Sequence, residues 1–137
     1  MNTPNRPTQR QSVLVVDDNE DMRLLLGQLV ERAGYRALFA GDGRTALLQA
    51  QHFHPRLILM DLSLPDMSGW EAVAQLRQMD EFADTPIIAV TAHASSVEIE
   101  RAKAVGCTVH LGKPFDANIL LRSITRLLAG QVLSESE

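Results

Sequence analysis

The chain has 137 residues, of which 45% are hydrophobic and 4% aromatic, so it is long enough for one domain with an aliphatic core. Thirteen basic and 17 acidic residues give a formal net charge of −4, which argues against a nucleic-acid-binding domain. The single cysteine, Cys107, excludes an intramolecular disulfide framework. With no apolar run of about 20 residues and no signal-peptide pattern, the sequence predicts a soluble cytoplasmic protein.

Five apolar runs of strand length alternate with five segments of helical periodicity. The predicted strands are residues 13–16, 35–39, 57–61, 87–91 and 108–112. The predicted helices are residues 19–33, 42–51, 69–79, 95–105 and 116–128. This alternation favours an α/β fold with a parallel sheet and helices on both faces. One domain at residues 12–129 is expected, preceded by a disordered arm at 1–11 and followed by a flexible acidic tail at 130–137.

Ionisable and hydroxyl side chains collect where the predicted strands end. The third strand is an unbroken apolar run that ends on the carboxylate of Asp61. The other strand ends carry Asp17 and Asp18, Thr91, and Lys113. In a doubly wound sheet of order 2-1-3-4-5, four of these ends are neighbours, and ligands bind at that edge of such sheets. The three carboxylates, the hydroxyl and the ammonium group are therefore predicted to share one crevice.

This set of side chains predicts a metal-assisted phosphoryl-transfer site. Three close carboxylates repel one another unless a cation lies among them. Because the set offers oxygen ligands without cysteine or histidine, it suits Mg²⁺. The cation and the lysine would neutralise charge on phosphoryl oxygens, and an aspartate can form an acyl phosphate. Taken singly, each residue has a structural alternative as a turn residue, a helix cap or a solvated loop residue.

Four segments of the chain resemble the receiver domain of two-component response regulators. They are Val-Leu-Val-Val-Asp-Asp-Asn, Leu-Ile-Leu-Met-Asp-Leu-Ser-Leu-Pro-Asp-Met-Ser-Gly, Ile-Ile-Ala-Val-Thr-Ala and Lys-Pro-Phe. The resemblance runs from about residue 12 to 128 and implies a flavodoxin-like fold with five strands and five helices. It also implies that a histidine kinase or a histidine phosphotransfer protein phosphorylates Asp61.

The resemblance implies further roles for individual residues. The implied Mg²⁺ ligands are Asp17, Asp18, Asp61 and the backbone carbonyl of Ser63. Thr91 would be the switch hydroxyl that binds the phosphoryl group, and Lys113 would pair with the phosphoryl oxygens. The small side chain of Ala92 would leave the phosphoryl group accessible. The bond between Lys113 and Pro114 is a candidate cis peptide bond.

Three features of this chain leave alternatives open. His110 occupies the position of the family's switch Tyr or Phe, so it is either a titrating switch or a substitute of similar shape. His93 and Ser63 occupy positions that tune hydrolysis of the acyl phosphate in the family. The candidate residues for docking a kinase's helical hairpin on the first helix are Leu24, Leu25 and Gln28.

The expected protein is a stand-alone receiver that switches a surface on its fourth helix, fifth strand and fifth helix. It would be a monomer or a phosphorylation-dependent dimer with protein partners, without nucleic acid or a membrane, and no enzyme beyond its own phosphorylation and dephosphorylation. A flavodoxin-like electron carrier is one alternative, although such a protein needs a phosphate-binding loop after its first strand. A Mg²⁺-dependent phosphohydrolase is another, although that class typically carries Asp-x-Asp after its first strand.

Overall fold

A computed structural model describes residues 11–64, 66, 68–92 and 95–129. The strands are β1 Ser12–Val16, β2 Arg36–Ala40, β3 Leu57–Asp61, β4 Ile87–Thr91 and β5 Val109–Gly112. The helices are α1 Glu20–Arg32, α2 Gly43–Phe53, α3 Gly69–Arg77, α4 Ser96–Val105 and α5 Ala117–Leu128. All strand pairs are parallel in the order β2-β1-β3-β4-β5, so the predicted doubly wound sheet is confirmed. The predicted arm, apart from Gln11, and the predicted tail lie outside the described residues.

The sheet is covered by helices on both faces. The central strands β3 and β4 are buried along their whole length, as expected where a parallel sheet has no solvent-exposed face. Alternate side chains of each strand belong to separate apolar clusters. Residues of α2, α3 and α4 complete one cluster, and residues of α1 and α5 complete the other. This two-sided core fixes the register of the strands, and with it the positions of their polar ends.

Every α-helix begins at a side chain that caps its first turn. The caps accept backbone N–H groups and are Asn19, Asp42, Ser68, Ser95 and Asp116. Asn, Asp and Ser are the residues that favour this position, since their short side chains reach the otherwise unpaired N–H groups. The cap of α1 follows the end of β1 within three residues, so this helix starts beside the carboxyl edge of the sheet.

The helix α3 is shorter than its apolar periodicity predicts. It was expected to reach Met79 but ends at Arg77, after which the N–H of Met79 donates to the carbonyl of Leu76 and a 3-10 turn follows at Asp80–Phe82. The turn brings Phe82 into the core, where it is 1% exposed. The helix therefore ends before the turn that buries this ring.

Candidate functional site

The carboxyl ends of β1, β3, β4 and β5 lie side by side at one edge of the sheet. The register pairs Asp61 with Val90 and Thr91 with Gly112. The residue after β1, Asp17, donates its backbone N–H to the end of β2 at 3.1 Å. The fold thus brings the polar strand ends to a common edge, as the sequence predicts.

Asp17, Asp18 and Asp61 form a cluster in which one carboxylate oxygen of each lies within 4.8 Å of the others. Asp17 and Asp61 are buried, at 1% and 4% exposure, whereas Asp18 is exposed to solvent. Mg²⁺ prefers a few carboxylates and keeps several waters, which a cluster open on one side allows. The oxygen-only donor set therefore fits a hard divalent cation.

Lys113 contributes one positive charge to this cluster. Its Nζ lies 3.0 Å from Oδ2 of Asp17 and 3.8 Å from Oδ2 of Asp61. Its backbone N–H donates to the carbonyl of Thr91 at 2.7 Å, and the Lys113–Pro114 peptide bond is cis, as predicted. One ammonium group opposite three carboxylates leaves a negative charge that a divalent cation would offset.

Burial raises the pKa of Asp61 from 3.8 to about 6, and the neighbouring charges of Asp17 and Asp18 raise it as well. Two interactions lower the pKa: the backbone N–H of Ser63, which donates to Oδ1 of Asp61 at 2.9 Å, and the charge of Lys113. Burial is the largest of these effects. Without a cation, Asp61 therefore keeps its proton to a higher pH than an exposed aspartate does.

Asp17 is held in place through both its side chain and its backbone carbonyl. The backbone N–H of Asn19 donates to its Oδ1 at 2.9 Å, while Lys113 binds Oδ2. The guanidinium of Arg23, one turn into α1, donates to the carbonyl oxygen of Asp17 at 2.9 Å. The sequence gives no signal for this role of Arg23, because a charged residue on an amphipathic helix is usually solvated.

The start of α3 lies directly against the end of β3. The N–H of Gly69 donates to the carbonyl of Leu62 at 3.1 Å. A Cβ atom on Gly69 would overlap backbone atoms of Asp61 and Leu62, which cannot move aside as a flexible side chain could. Glycine therefore permits this close approach. The sequence signal was a glycine directly after the cap Ser68.

Two further residues that the sequence analysis did not single out make long-range contacts. The carboxylate of Asp66, in the loop after β3, accepts the N–H groups of Gly43 and Arg44 at 2.8 and 3.0 Å. The guanidinium of Arg77 binds backbone carbonyls on both sides of β4; they belong to Phe82, Ala83, Thr85 and Gly106. Spacing along the chain gives no signal for either contact.

The two predicted switch residues lie on adjacent strands. Thr91 is buried at the end of β4. His110 is half-buried on β5 opposite Ala89, and among the described residues its buried Nε2 atom has no hydrogen-bond partner. Burial lowers the pKa of His110, and the charge of Glu98 on α4 acts in the opposite direction. Since the ring resists protonation, these surroundings favour a neutral histidine.

The three candidate residues for kinase docking are exposed on α1, but they do not all line one groove. Leu24 and Leu25 are both exposed, at 52% and 44%, and Gln28 is exposed beside them. Leu24 and Gln28 line an apolar groove of about 490 Å³ between α1 and β2, together with Phe39, whereas Leu25 lies outside it.

The structure describes two of the three residues that were predicted to affect access to the phosphoryl group or its hydrolysis. Ser63 and Ala92 are exposed beside the cluster, and His93 lies outside the described residues.

Together, the fold and the site define a doubly wound α/β domain with an acidic cation site around a buried aspartate. The sequence profile of the response regulator receiver domain matches residues 13–125. The polar-differentiation response regulator DivK of Brucella ovis is 38% identical over 117 residues, which cover 85% of this chain and 95% of DivK.

Solved structures of a response regulator and of a receiver domain are also similar to this chain. The chemotaxis response regulator CheY4 of Vibrio cholerae is 36% identical with a TM-score of 0.81, and the match covers 86% of this chain and 98% of that one. The receiver domain of a sensor histidine kinase from Pseudomonas aeruginosa was solved with a magnesium ion coordinated in its active-site cleft. It is 31% identical with a TM-score of 0.81, and the match covers 88% of this chain and 98% of that one.

The chain belongs to the response regulator receiver domain family. It is a DivK- and CheY-like response regulator of two-component signalling, a signalling protein rather than a classical enzyme. Receivers of this kind bind a divalent metal at an acidic site and interact with histidine kinases and downstream targets. The matches do not support the phosphohydrolase alternative. No described helix is both long and apolar enough to cross a bilayer.

Proposed function

We propose that Asp61 accepts a phosphoryl group from a phosphohistidine of a sensor histidine kinase or a histidine phosphotransfer protein. The observation that carries this proposal is a buried aspartate 3.8 Å from the ammonium of Lys113 and clustered with Asp17 and Asp18. A carboxylate oxygen attacks phosphorus, so that an O–P bond forms as the P–N bond breaks. The imidazole nitrogen keeps the electron pair.

The remaining site residues bind and stabilise the transferred group. The proposed Mg²⁺ ligands are Asp17, Asp18, Asp61 and the backbone carbonyl of Ser63. When bound, Mg²⁺ supplies charge neutralisation at the phosphoryl oxygens. Lys113 can pair with a phosphoryl oxygen on Asp61 because its Nζ already lies between the two buried carboxylates. The Thr91 hydroxyl donates to another phosphoryl oxygen.

The same site also hydrolyses the aspartyl phosphate that it forms. A water molecule attacks phosphorus and releases inorganic phosphate, which restores the carboxylate of Asp61. Ala92 has a small, exposed side chain and leaves the phosphorus atom accessible to this water molecule. Ser63 and His93 tune the rate of the hydrolysis. Self-phosphorylation and autodephosphorylation are the only reactions that we propose for the chain.

Phosphorylation shifts a two-state equilibrium that is read on α4, β5 and α5. Thr91 moves toward the phosphoryl group, and His110 on the neighbouring strand turns inward. The weak packing of α4 supports this, since its one buried residue among those described is Ala102. An element with few buried contacts changes position at low free-energy cost.

The kinase docks on α1 through Leu24, Leu25 and Gln28. The groove beside Leu24 supports this assignment because it is apolar, and because Gly27 lets the ring of Phe39 approach α1 closely. A buried apolar anchor in such a groove is a common source of binding energy. We further propose a cytoplasmic receiver domain at residues 12–129 that acts as a monomer or as a phosphorylation-dependent dimer.

Incubation with acetyl phosphate, followed by intact-protein mass spectrometry, tests this function. We expect the mass of one phosphoryl group to be added with Mg²⁺ and not with EDTA. Asp61→Asn should abolish the gain, whereas the control Asp80→Asn, an exposed carboxylate in the turn after α3, should retain it. Equal gain in both variants would refute Asp61 as the acceptor.

A further inference from the structure

The first turn of α2 is bound by carboxylates from two different parts of the chain. Its first two N–H groups, on Gly43 and Arg44, donate to the two oxygens of Asp66 at 2.8 and 3.0 Å. The third, on Thr45, donates to Oδ1 of the helix's own cap Asp42 at 2.7 Å. Asp66 belongs to the loop between β3 and α3, more than 20 residues later in the chain.

That loop also contains the residues beside the proposed phosphoacceptor. Within it, the N–H of Ser63 donates to Asp61 and the N–H of Gly69 donates to Leu62. These bonds join the loop to β3 and α3, the two elements that flank it, and do not tie it to an element elsewhere in the chain. The paired bonds of Asp66 do so, since a carboxylate held through both oxygens by consecutive N–H groups is fixed in position and in orientation.

We propose that Asp66 is a positioning residue for the divalent-metal site, because it anchors the loop that carries Ser63 to the first turn of α2. This inference rests on the proposed function, in which the backbone carbonyl of Ser63 is a metal ligand. Asp66 itself does not bind the metal. It restricts the loop so that the Ser63 backbone stays beside the carboxylate of Asp61.

A purely structural role for Asp66 predicts different behaviour. If Asp66 only stabilised α2 by offsetting its N-terminal N–H groups and dipole, its loss would resemble the loss of any other cap on that helix. Asp42 supplies the matched control, because it caps the same turn of the same helix from outside the loop. Asp42→Ala removes a cap and leaves the anchor of the loop intact.

Binding of Mn²⁺, followed by electron paramagnetic resonance of the free ion with the full chain, tests the proposal. Asp42→Ala and Asp66→Ala should both lower the urea midpoint of unfolding. Only Asp66→Ala should weaken Mn²⁺ binding, by about tenfold, the size of effect seen when groups that orient metal ligands are lost. If Asp66→Ala does not fold, Asp66→Asn serves instead, since the amide keeps one acceptor and loses the second.

Phosphorylation by acetyl phosphate gives an independent readout. We expect Asp66→Ala to need a higher Mg²⁺ concentration for half-maximal rate, with a near-normal rate at saturation.

The outcomes separate this inference from the proposed function. Unchanged Mn²⁺ affinity in Asp66→Ala, or an equal loss in Asp42→Ala, would overturn the positioning role alone. Failure of the wild-type chain to bind Mn²⁺ would overturn the proposed metal site and this inference with it.

Discussion

The ammonium of Lys113 lies 3.0 Å from Oδ2 of Asp17, although the two residues are 96 positions apart in the chain. The carboxylate is 1% exposed and the lysine side chain 21% exposed, so the pair is largely removed from solvent. This contact joins the first strand to the last at the carboxyl edge of the sheet. It also places a positive charge beside the two buried carboxylates, Asp17 and Asp61.

Replacing Lys113 should therefore destabilise the metal-free protein. Lys113→Gln leaves the buried carboxylate of Asp17 without its counter-ion, and loss of one partner of such a pair costs about 3–5 kcal/mol. We expect that decrease in the free energy of unfolding by urea titration in EDTA. Mg²⁺ should restore part of it, because the cation offsets the same charge. The control Lys103→Gln, an exposed lysine on α4, should show neither effect, and a similar loss there would contradict the prediction.

Asp61→Asn should stabilise the metal-free protein at neutral pH. The pKa of Asp61 is raised from 3.8 to about 6, so ionisation favours the unfolded state and costs the fold about 3 kcal/mol at most above the raised pKa. The cost is absent below the unfolded pKa and grows as pH rises between the two values. Asn removes the charge and retains an acceptor for the N–H of Ser63.

Urea unfolding in EDTA at neutral pH and at about pH 4 measures this difference. The gain in Asp61→Asn should be present at neutral pH and small at the acidic value. A gain of equal size at both values would show that ionisation is not its source.

Arg77→Lys should destabilise the fold although it retains the charge. The guanidinium donates to the carbonyls of Phe82 and Thr85 at 2.7 Å and to that of Gly106 at 3.0 and 2.8 Å. An ammonium group is a single point and cannot reach both groups of acceptors. We expect a loss of about 2 kcal/mol or more in unfolding free energy, since buried carbonyls are left unpaired. Arg44→Lys, at an exposed position, should leave stability unchanged.

The sequence predicted the fold well because hydrophobic periodicity and capping residues are local signals. The alternation of elements and the cap Ser68 follow from them, whereas the strand order came with the doubly wound fold class that the alternation indicates. Helix ends were less predictable. The apolar pattern of α3 continues past Arg77, but the helix ends there and the following turn buries Phe82 in the core.

The polar residues of the site were predictable as a set because strand order brings their positions together. Their supporting contacts were not. Asp66 and Arg77 bind backbone atoms more than 20 residues away in sequence, whereas Arg23 binds the carbonyl of Asp17, which lies just before its own helix α1. All three residue types are equally common on solvated surfaces. Pairings of this kind depend on tertiary distances, which one sequence does not contain.

His110→Phe should alter the pH dependence of stability. Burial lowers the pKa of His110 in the folded state below its usual 6.5, so protonation favours the unfolded chain and stability falls as pH drops through the unfolded value. Phenylalanine removes this loss. Thermal unfolding at about pH 7.5 and about pH 5 should show the variant gaining on wild type at the lower pH.

The two interpretations of His110 also differ in signalling. If the ring is a substitute of similar shape, binding of the phosphorylated protein to its target should change with pH in the same way in wild type and variant, whereas a titrating switch would add a pH dependence that only wild type shows. A variant that matches wild type in stability at both pH values would contradict the lowered pKa.

The location of the phosphoryl group is the central claim, and chemical trapping measures it directly. After incubation with acetyl phosphate and Mg²⁺, borohydride reduces an aspartyl phosphate to homoserine, which peptide mass spectrometry places in the sequence. We predict homoserine at position 61, dependent on donor and Mg²⁺. Homoserine at position 17 or 18, or none at all despite a gain in protein mass, would contradict the assignment of Asp61 as phosphoacceptor.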